Sequence, residues 1–98
     1  MRRIKVLVAD DEATVRTFIK LVVDKERLPV SAVAETDNGT EAVRLTREFL
    51  PDLVFLDIRM PGLDGLQAAE AILAGEVKPM VVIVSAYNEF DYARTAFR

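Results

Sequence analysis

The chain has 98 residues, of which 51% are hydrophobic and 30% charged, and its formal net charge is −3 at pH 7. This is the size and composition of one globular domain rather than of a disordered tail. The sequence contains neither His nor Cys, which excludes disulfides and any site chemistry that depends on imidazole or thiolate. It shows no basic stripe for direct nucleic-acid binding and no apolar run long enough to cross a membrane, so we expect a cytoplasmic protein.

The first half of the chain alternates strand-like and helix-like segments, as stacked βα units do. Val6–Ala9 is a short apolar run typical of a buried parallel strand. A helix to about Arg27 follows, with apolar residues at helical spacing at Val15, Phe18, Ile19, Val22 and Val23. Val30–Glu35 then alternates small apolar and polar residues, which predicts a half-buried edge strand.

The next unit begins with a helix and ends with a second buried strand. Asn38 and Glu41 have the spacing of a capping box. The helix that they open has an apolar face made of Ala42, Val43, Leu45, Phe49 and Leu50. Leu53–Leu56 is another apolar run, and we predict that it is the third strand.

The last part of the chain repeats this pattern. Asp64 and Gln67 again have cap spacing, ahead of a helix that runs to about Ala74. Met80–Val84 is an uninterrupted apolar run and the predicted fourth strand. Asn88 then opens a last predicted helix.

This element order predicts an α/β fold with a doubly wound, flavodoxin-like parallel sheet. Right-handed βα units place the strands in the order 2-1-3-4, with the fourth strand at an edge. Because Met80–Val84 carries no charge, an uncovered edge there would recruit other chains. We therefore expect that a fifth strand and last helix are absent from this sequence, or that a partner supplies the pairing through a dimer or strand swap.

Three aspartates come directly after the first and third strands: Asp10, Asp11 and Asp57. Open α/β sheets bind ligands at the carboxyl ends of their strands. Any one of these acids alone is most simply a cap or turn residue, and Asp10-Asp11 could cap the first helix. Three carboxylates within about 5 Å would repel by up to ~3 kcal/mol per pair at an effective dielectric constant of about 20, so we expect a compensating hard cation such as Mg²⁺.

Ser85 ends the fourth strand on the same edge of the sheet. Its hydroxyl and the backbone N–H of Ala86 could hold the oxygens of an anion beside the acids, or Ser85 could simply turn the chain. Two reaction classes fit a magnesium-bound acid cluster. Either a carboxylate attacks a phosphoryl group, or the metal orients a phosphorylated substrate for attack by water.

The sequence of three segments resembles the receiver domain of bacterial two-component response regulators. The segments are Val8–Glu12, Val54–Gly65 and Val82–Ala86, and the second has the specific pattern D-x-x-M-P-x-x-D-G. The resemblance covers the whole chain in the correct order and spacing. It implies that residues 1–98 are one receiver domain, incomplete at its C-terminus.

The resemblance also implies roles for individual residues. Asp57 matches the aspartate that accepts a phosphoryl group from a sensor histidine kinase. Asp11 matches the direct Mg²⁺ ligand, with Asp10 acting mainly through water and the backbone carbonyl of Arg59 as a further ligand. Such a domain is a phosphoacceptor that assists its own phosphorylation and dephosphorylation, and is not otherwise an enzyme.

Further positions match the receiver pattern around the phosphoryl group. Ser85 matches the hydroxyl residue that moves toward the phosphoryl oxygens, and Ala86 matches the neighbour whose N–H helps to hold them. Pro61 and Gly65 match positions that shape the loop over the site. Movement of Ser85 would shift the surface of the following helix and control an output domain, which is DNA-binding in receivers with a stretch similar to Tyr87–Ala93.

Two other functions remain open at this point. A haloacid-dehalogenase-like phosphohydrolase also uses an aspartate nucleophile, but needs an Asp-x-Asp pair where this chain has Asp10-Asp11-Glu12. A receiver-like module that binds partners without taking phosphate would keep the fold and lose the chemistry. Turnover of a phosphate ester would indicate the first, and full biological output after Asp57→Asn the second.

Receiver domains also carry a lysine followed by proline on the fifth strand, and in this chain that position lies beyond Arg98. The lysines that are present, including the Lys78-Pro79 pair, fall at other positions: Lys5, Lys20, Lys25 and Lys78. We therefore expect the 98-residue chain alone to bind Mg²⁺ but to accept phosphate poorly. Mass spectrometry after incubation with acetyl phosphate and Mg²⁺ tests this, and a stoichiometric phosphorylated species would contradict it.

Overall fold

The computed structural model describes residues 2–84, and all statements on structure refer to this range. It contains four strands and three helices in alternation. In chain order these are β1 (Ile4–Ala9), α1 (Ala13–Lys25), β2 (Val30–Thr36), α2 (Gly39–Phe49), β3 (Leu53–Asp57), α3 (Gly65–Leu73) and β4 (Met80–Val84).

The strands form one parallel sheet in the order β2-β1-β3-β4, which confirms the predicted flavodoxin-like arrangement. The register between the two central strands places Ala9 opposite Leu56. The residues that follow β1 and the last residue of β3 therefore meet at the same edge of the sheet.

Two apolar layers cover the faces of the sheet, because alternate strand residues point to opposite sides. On one face, α2 and α3 pack against a core that includes Leu7, Val54 and Leu56. On the other face, α1 packs against Val6 and Val8. All five of these strand side chains are fully buried, so the two central strands are anchored in the core.

Helix α1 buries a narrower stripe than its sequence pattern suggests. Ile19 and Val23 are buried against the sheet, and Val15 packs partly against them. Phe18 and Val22, which share the predicted apolar face, are 65% and 40% exposed. The helix covers β1 through one line of contacts, and the described part of the chain places no element over the adjoining line.

The helix starts agree with the predicted caps at α2 and α3. Asp64 and Gln67 form a reciprocal capping box at the start of α3. At α2 the side chain of Asn38 accepts a hydrogen bond from the N–H of Glu41. The Glu41 side chain does not return this bond and pairs with Arg44 instead.

Within residues 2–84, β4 pairs only with β3, and pairing of its outer edge with a partner stays a prediction. The predicted last helix from Asn88 lies outside the described residues, as do Ser85 and Ala86. Over residues 2–84, the helices are too short or too polar to cross a membrane.

Candidate functional site

The carboxylates that follow β1 and end β3 converge on one point at the edge of the sheet. One oxygen each from Asp10, Asp11 and Asp57 lies within 4.8 Å of the other two. Asp10 is buried, Asp57 is half-buried and Asp11 is exposed. The site therefore opens to solvent on one side and is walled by the sheet on the other.

Asp10 is fixed by three hydrogen bonds from three different segments. Its N–H donates to the carbonyl of Thr36 on β2 at 3.1 Å. Its carboxylate accepts from the N–H of Glu12 at 2.9 Å, and its carbonyl accepts from Nη1 of Arg16 at 2.7 Å. Its position is thus set by β2, by its own turn and by α1.

The structure only partly supports the alternative that Asp10 and Asp11 cap α1. The N-cap residue of α1 is Glu12, whose side chain makes no capping hydrogen bond to the described residues. Asp10 accepts from the N–H of Glu12 itself, one position ahead of the helix. The carboxylate of Asp11 stays at the exposed side of the cluster.

Burial raises the pKa of the Asp10 carboxyl above its ordinary value, and the charges of Asp11 and Glu12 raise it further. The N–H of Glu12 and the guanidinium of Arg16 oppose this shift. Burial and the two neighbouring carboxylates both disfavour the charged form of Asp10, and a nearby positive charge would stabilise it. Since the donors are all oxygens, they fit a hard divalent cation such as Mg²⁺ better than a thiophilic metal.

The loop after β3 is held close to Asp57 by glycines. Gly65 donates its N–H to the carbonyl of Ile58 at 2.6 Å. A Cβ added at Gly65 would overlap the carbonyl oxygen of Asp57, and one added at Gly39 would overlap that of Leu63. Both helices thus touch this loop through bare backbone, which explains why Gly65 belongs to the sequence pattern.

The roles predicted for all the site residues, the three aspartates included, stay predictions. Arg59 lies exposed in the loop two residues beyond Asp57, and its carbonyl stays a predicted ligand. Pro61 is in the same loop. Ser85 and Ala86 fall outside the described range.

Sequence reasoning missed Arg16, which contacts the backbone of Asp10 and the side chain of Glu35. The position of Arg16 six residues after Asp10 could have indicated this contact. A residue in the first turn of a helix that follows a strand directly can turn its side chain back to that strand's end, and an arginine is long enough to reach it.

The sequence matches the family described as the response regulator receiver domain over residues 6–98. The chain therefore belongs to this family, whose members are regulatory phosphoacceptors, as its motifs predicted. The sheet order and the acid cluster at the strand ends agree with this assignment.

Individual relatives point the same way. The chemotaxis protein CheY of Listeria monocytogenes is 42% identical over 86 residues, a match that covers 88% of this chain and 71% of CheY. The response regulatory protein VC_A0850 of Vibrio cholerae is 37% identical over 91 residues, covering 93% of this chain and 34% of that protein. A crystal structure of a DNA-binding response regulator of the LuxR family from Staphylococcus aureus superposes with a TM-score of 0.79 at 28% identity, covering 96% of this chain and 80% of that chain.

We predict that Asp10→Asn stabilises the metal-free protein. Removing one charge from the cluster relieves repulsion worth on the order of 1 kcal/mol once screened by solvent, which raises Tm by roughly 4–8 °C in a domain of this size. Because folding raises the pKa of Asp10, the free energy of unfolding of the wild type falls as pH rises through that raised pKa. The gain from Asp10→Asn is therefore small in acid and complete at neutral pH.

Thermal unfolding in the presence of a chelator, followed by circular dichroism at several pH values, measures this difference. Asp24→Asn is the matched control, because it removes an exposed charge from α1 and should change the free energy of unfolding by no more than about 0.5 kcal/mol. A lower Tm for Asp10→Asn at neutral pH would contradict the prediction.

We predict that Gly65→Ala destabilises the fold by about 1–3 kcal/mol, as overpacking against fixed backbone does. The new Cβ would lie only 2.8 Å from Cα of Ile58. Gly75→Ala is the control, since its Cβ would meet no atom closer than the Ile72 carbonyl oxygen at 3.3 Å. Urea unfolding compares the two, and equal losses of stability would contradict this explanation.

Proposed function

We propose that this receiver domain is a phosphorylation-dependent signalling switch in which Asp57 accepts a phosphoryl group from a sensor histidine kinase. Asp10, Asp11 and Asp57 hold Mg²⁺ together with the backbone carbonyl of Arg59. The observation that carries the proposal is the convergence of the three carboxylates within 4.8 Å, in a chain that matches the receiver family over residues 6–98.

The chemistry is a transfer between two proteins. A carboxylate oxygen of Asp57 attacks the phosphorus of a phosphohistidine, the P–N bond breaks, and the imidazole leaves with the electron pair. The histidine belongs to the kinase, because this chain contains no His. Bound Mg²⁺ supplies positive charge that offsets the charge on the transferring oxygens.

Backbone contacts on two sides hold Asp57 in place, which suits the proposed role. It is the last residue of β3, paired in register with β4, and the start of α3 presses against its carbonyl through Gly65. Its side chain is half-buried, so one side faces the acid cluster while a donor approaches from the other. Such preorganisation lowers the barrier by fixing the geometry before the reaction.

The output follows from the charge that phosphorylation adds. A phosphoryl group brings about −1.5 to −2 charge and three acceptor oxygens to an acidic edge. We propose that the hydroxyl of Ser85 and the N–H of Ala86 receive these oxygens and shift the helix predicted from Asn88. Two packings that differ by a few kcal/mol are enough for this switch.

We further propose that the switch acts in the cytoplasm on an output domain that binds DNA. One solved relative is described as a DNA-binding response regulator. The chain spans 34% of the length of VC_A0850. The receiver fold alone therefore does not identify an output domain, and DNA binding by that domain is a proposal.

Phosphorylation of the chain by a small donor tests the proposal. We expect incubation with acetyl phosphate to give a slow, substoichiometric addition of one phosphoryl group that requires Mg²⁺. Borohydride reduction of the acyl phosphate, followed by peptide mass spectrometry, should locate the modification at position 57. Asp57→Asn should abolish it, whereas Asp52→Asn, at the opposite end of β3, should not.

Three outcomes would contradict the proposal. Equal modification of the Asp57→Asn variant would place the chemistry elsewhere. Repeated turnover of a generic phosphate ester would indicate a hydrolase instead. Absence of any adduct, together with normal biological output of the Asp57→Asn variant, would favour a receiver that acts without phosphate.

A further inference from the structure

A chain of three charged side chains leads from the outer strand β2 to the backbone of the acid cluster. Arg16 donates through Nη1 to the carbonyl of Asp10 at 2.7 Å and through Nε to Glu35 at 3.2 Å. The other oxygen of Glu35 accepts from Nζ of Lys20 at 2.8 Å. The side chain of Arg16 is 19% exposed, about half the exposure of the Glu35 and Lys20 side chains.

The place of Arg16 is unexpected for a site that binds a cation. A guanidinium this close to the carboxylates repels a divalent ion. Its direct bond to Asp10 goes to the main-chain carbonyl and leaves the carboxylate available. Glu35 offsets its charge, and the bonds from Lys20 and then from Arg16 hold the pKa of Glu35 below its ordinary value, so Glu35 stays ionised.

The turn that carries Asp10 and Asp11 is also restrained by the N–H of Glu12, which donates to the Asp10 carboxylate. Among the described residues, the Glu12 side chain makes no capping bond to α1. The N–H of Asp10 is tied to Thr36 of β2, and Arg16 ties the carbonyl of the same residue to the neighbouring Glu35. Arg16 therefore restrains the peptide unit between Asp10 and Asp11 through its carbonyl oxygen.

We infer that Arg16, held in place by Glu35, is a positioning residue for the Mg²⁺ site, and sets the geometry of Asp10 and Asp11 by restraining the peptide unit between them. This inference rests on the proposed function, because it assigns the residue a role in the same site. It makes Mg²⁺ affinity depend on a side chain that does not touch the ion.

The sign of the effect in Arg16→Gln separates positioning from simple electrostatics. Loss of a nearby cation alone would tighten Mg²⁺ binding. Loss of positioning weakens it, and we expect the Kd for Mg²⁺ to rise about 10-fold or more, as for other supporting residues of metal sites. Titration of MgCl₂ into the chain by isothermal calorimetry measures the Kd.

Two matched variants complete the test. Lys20→Gln removes the same charge from the same cluster but breaks no bond to Asp10, so we expect its Kd to be unchanged or slightly lower. Arg16→Lys keeps the charge but loses the forked donor, and we expect it to bind Mg²⁺ more weakly than the wild type. It also serves if Arg16→Gln does not fold.

The results distinguish this inference from the proposed function. If the wild type does not bind Mg²⁺, the proposed metal site fails. If the wild type binds but both Arg16 variants bind as tightly or more tightly, the positioning role is overturned. A loss of stability in urea with an unchanged Kd would show a purely structural role and would also overturn it.

Discussion

The register between β1 and β3 is the constraint on which the site depends. With Ala9 opposite Leu56, the acids that follow one strand and end the other meet whatever their mutual repulsion. The interaction that enforces this register is burial of the two central strands, five of whose side chains are completely removed from water. Burial of such side chains contributes about 1.5–3 kcal/mol each, so several of them outweigh the repulsion within the cluster.

The backbone around the acid cluster is held in place by close contacts as well. Glycines let α2 and α3 approach the loop after β3 to a distance that any side chain would prevent. Hydrogen bonds from β2 and α1 immobilise Asp10 on the other side. The carboxylates are therefore held close together by fixed backbone, at the place where the proposed Mg²⁺ would offset their repulsion.

Much of this was accessible from the sequence because it depends on short-range pattern. Apolar runs and helical spacing predicted the strand order, and the order brought Asp10 and Asp57 together. Contacts that depend on the reach of a side chain were not predictable in this way, and Arg16 is the main example. Phe18 and Val22 show a second limit. Helical spacing places them on the apolar face of α1, but their exposure depends on which elements cover that face.

The side chains of helix α1 fall into three groups according to what they contact. Ile19 and Val23 anchor it to the sheet, Arg16 reaches the strand end, and Phe18 and Leu21 are more than half exposed to solvent. Within residues 2–84 these last two side chains contribute little buried area, so their mutation costs this part of the fold little stability. Within the described residues, the outer surface of α1 can therefore change without disturbing the contact that Arg16 makes at the end of β1.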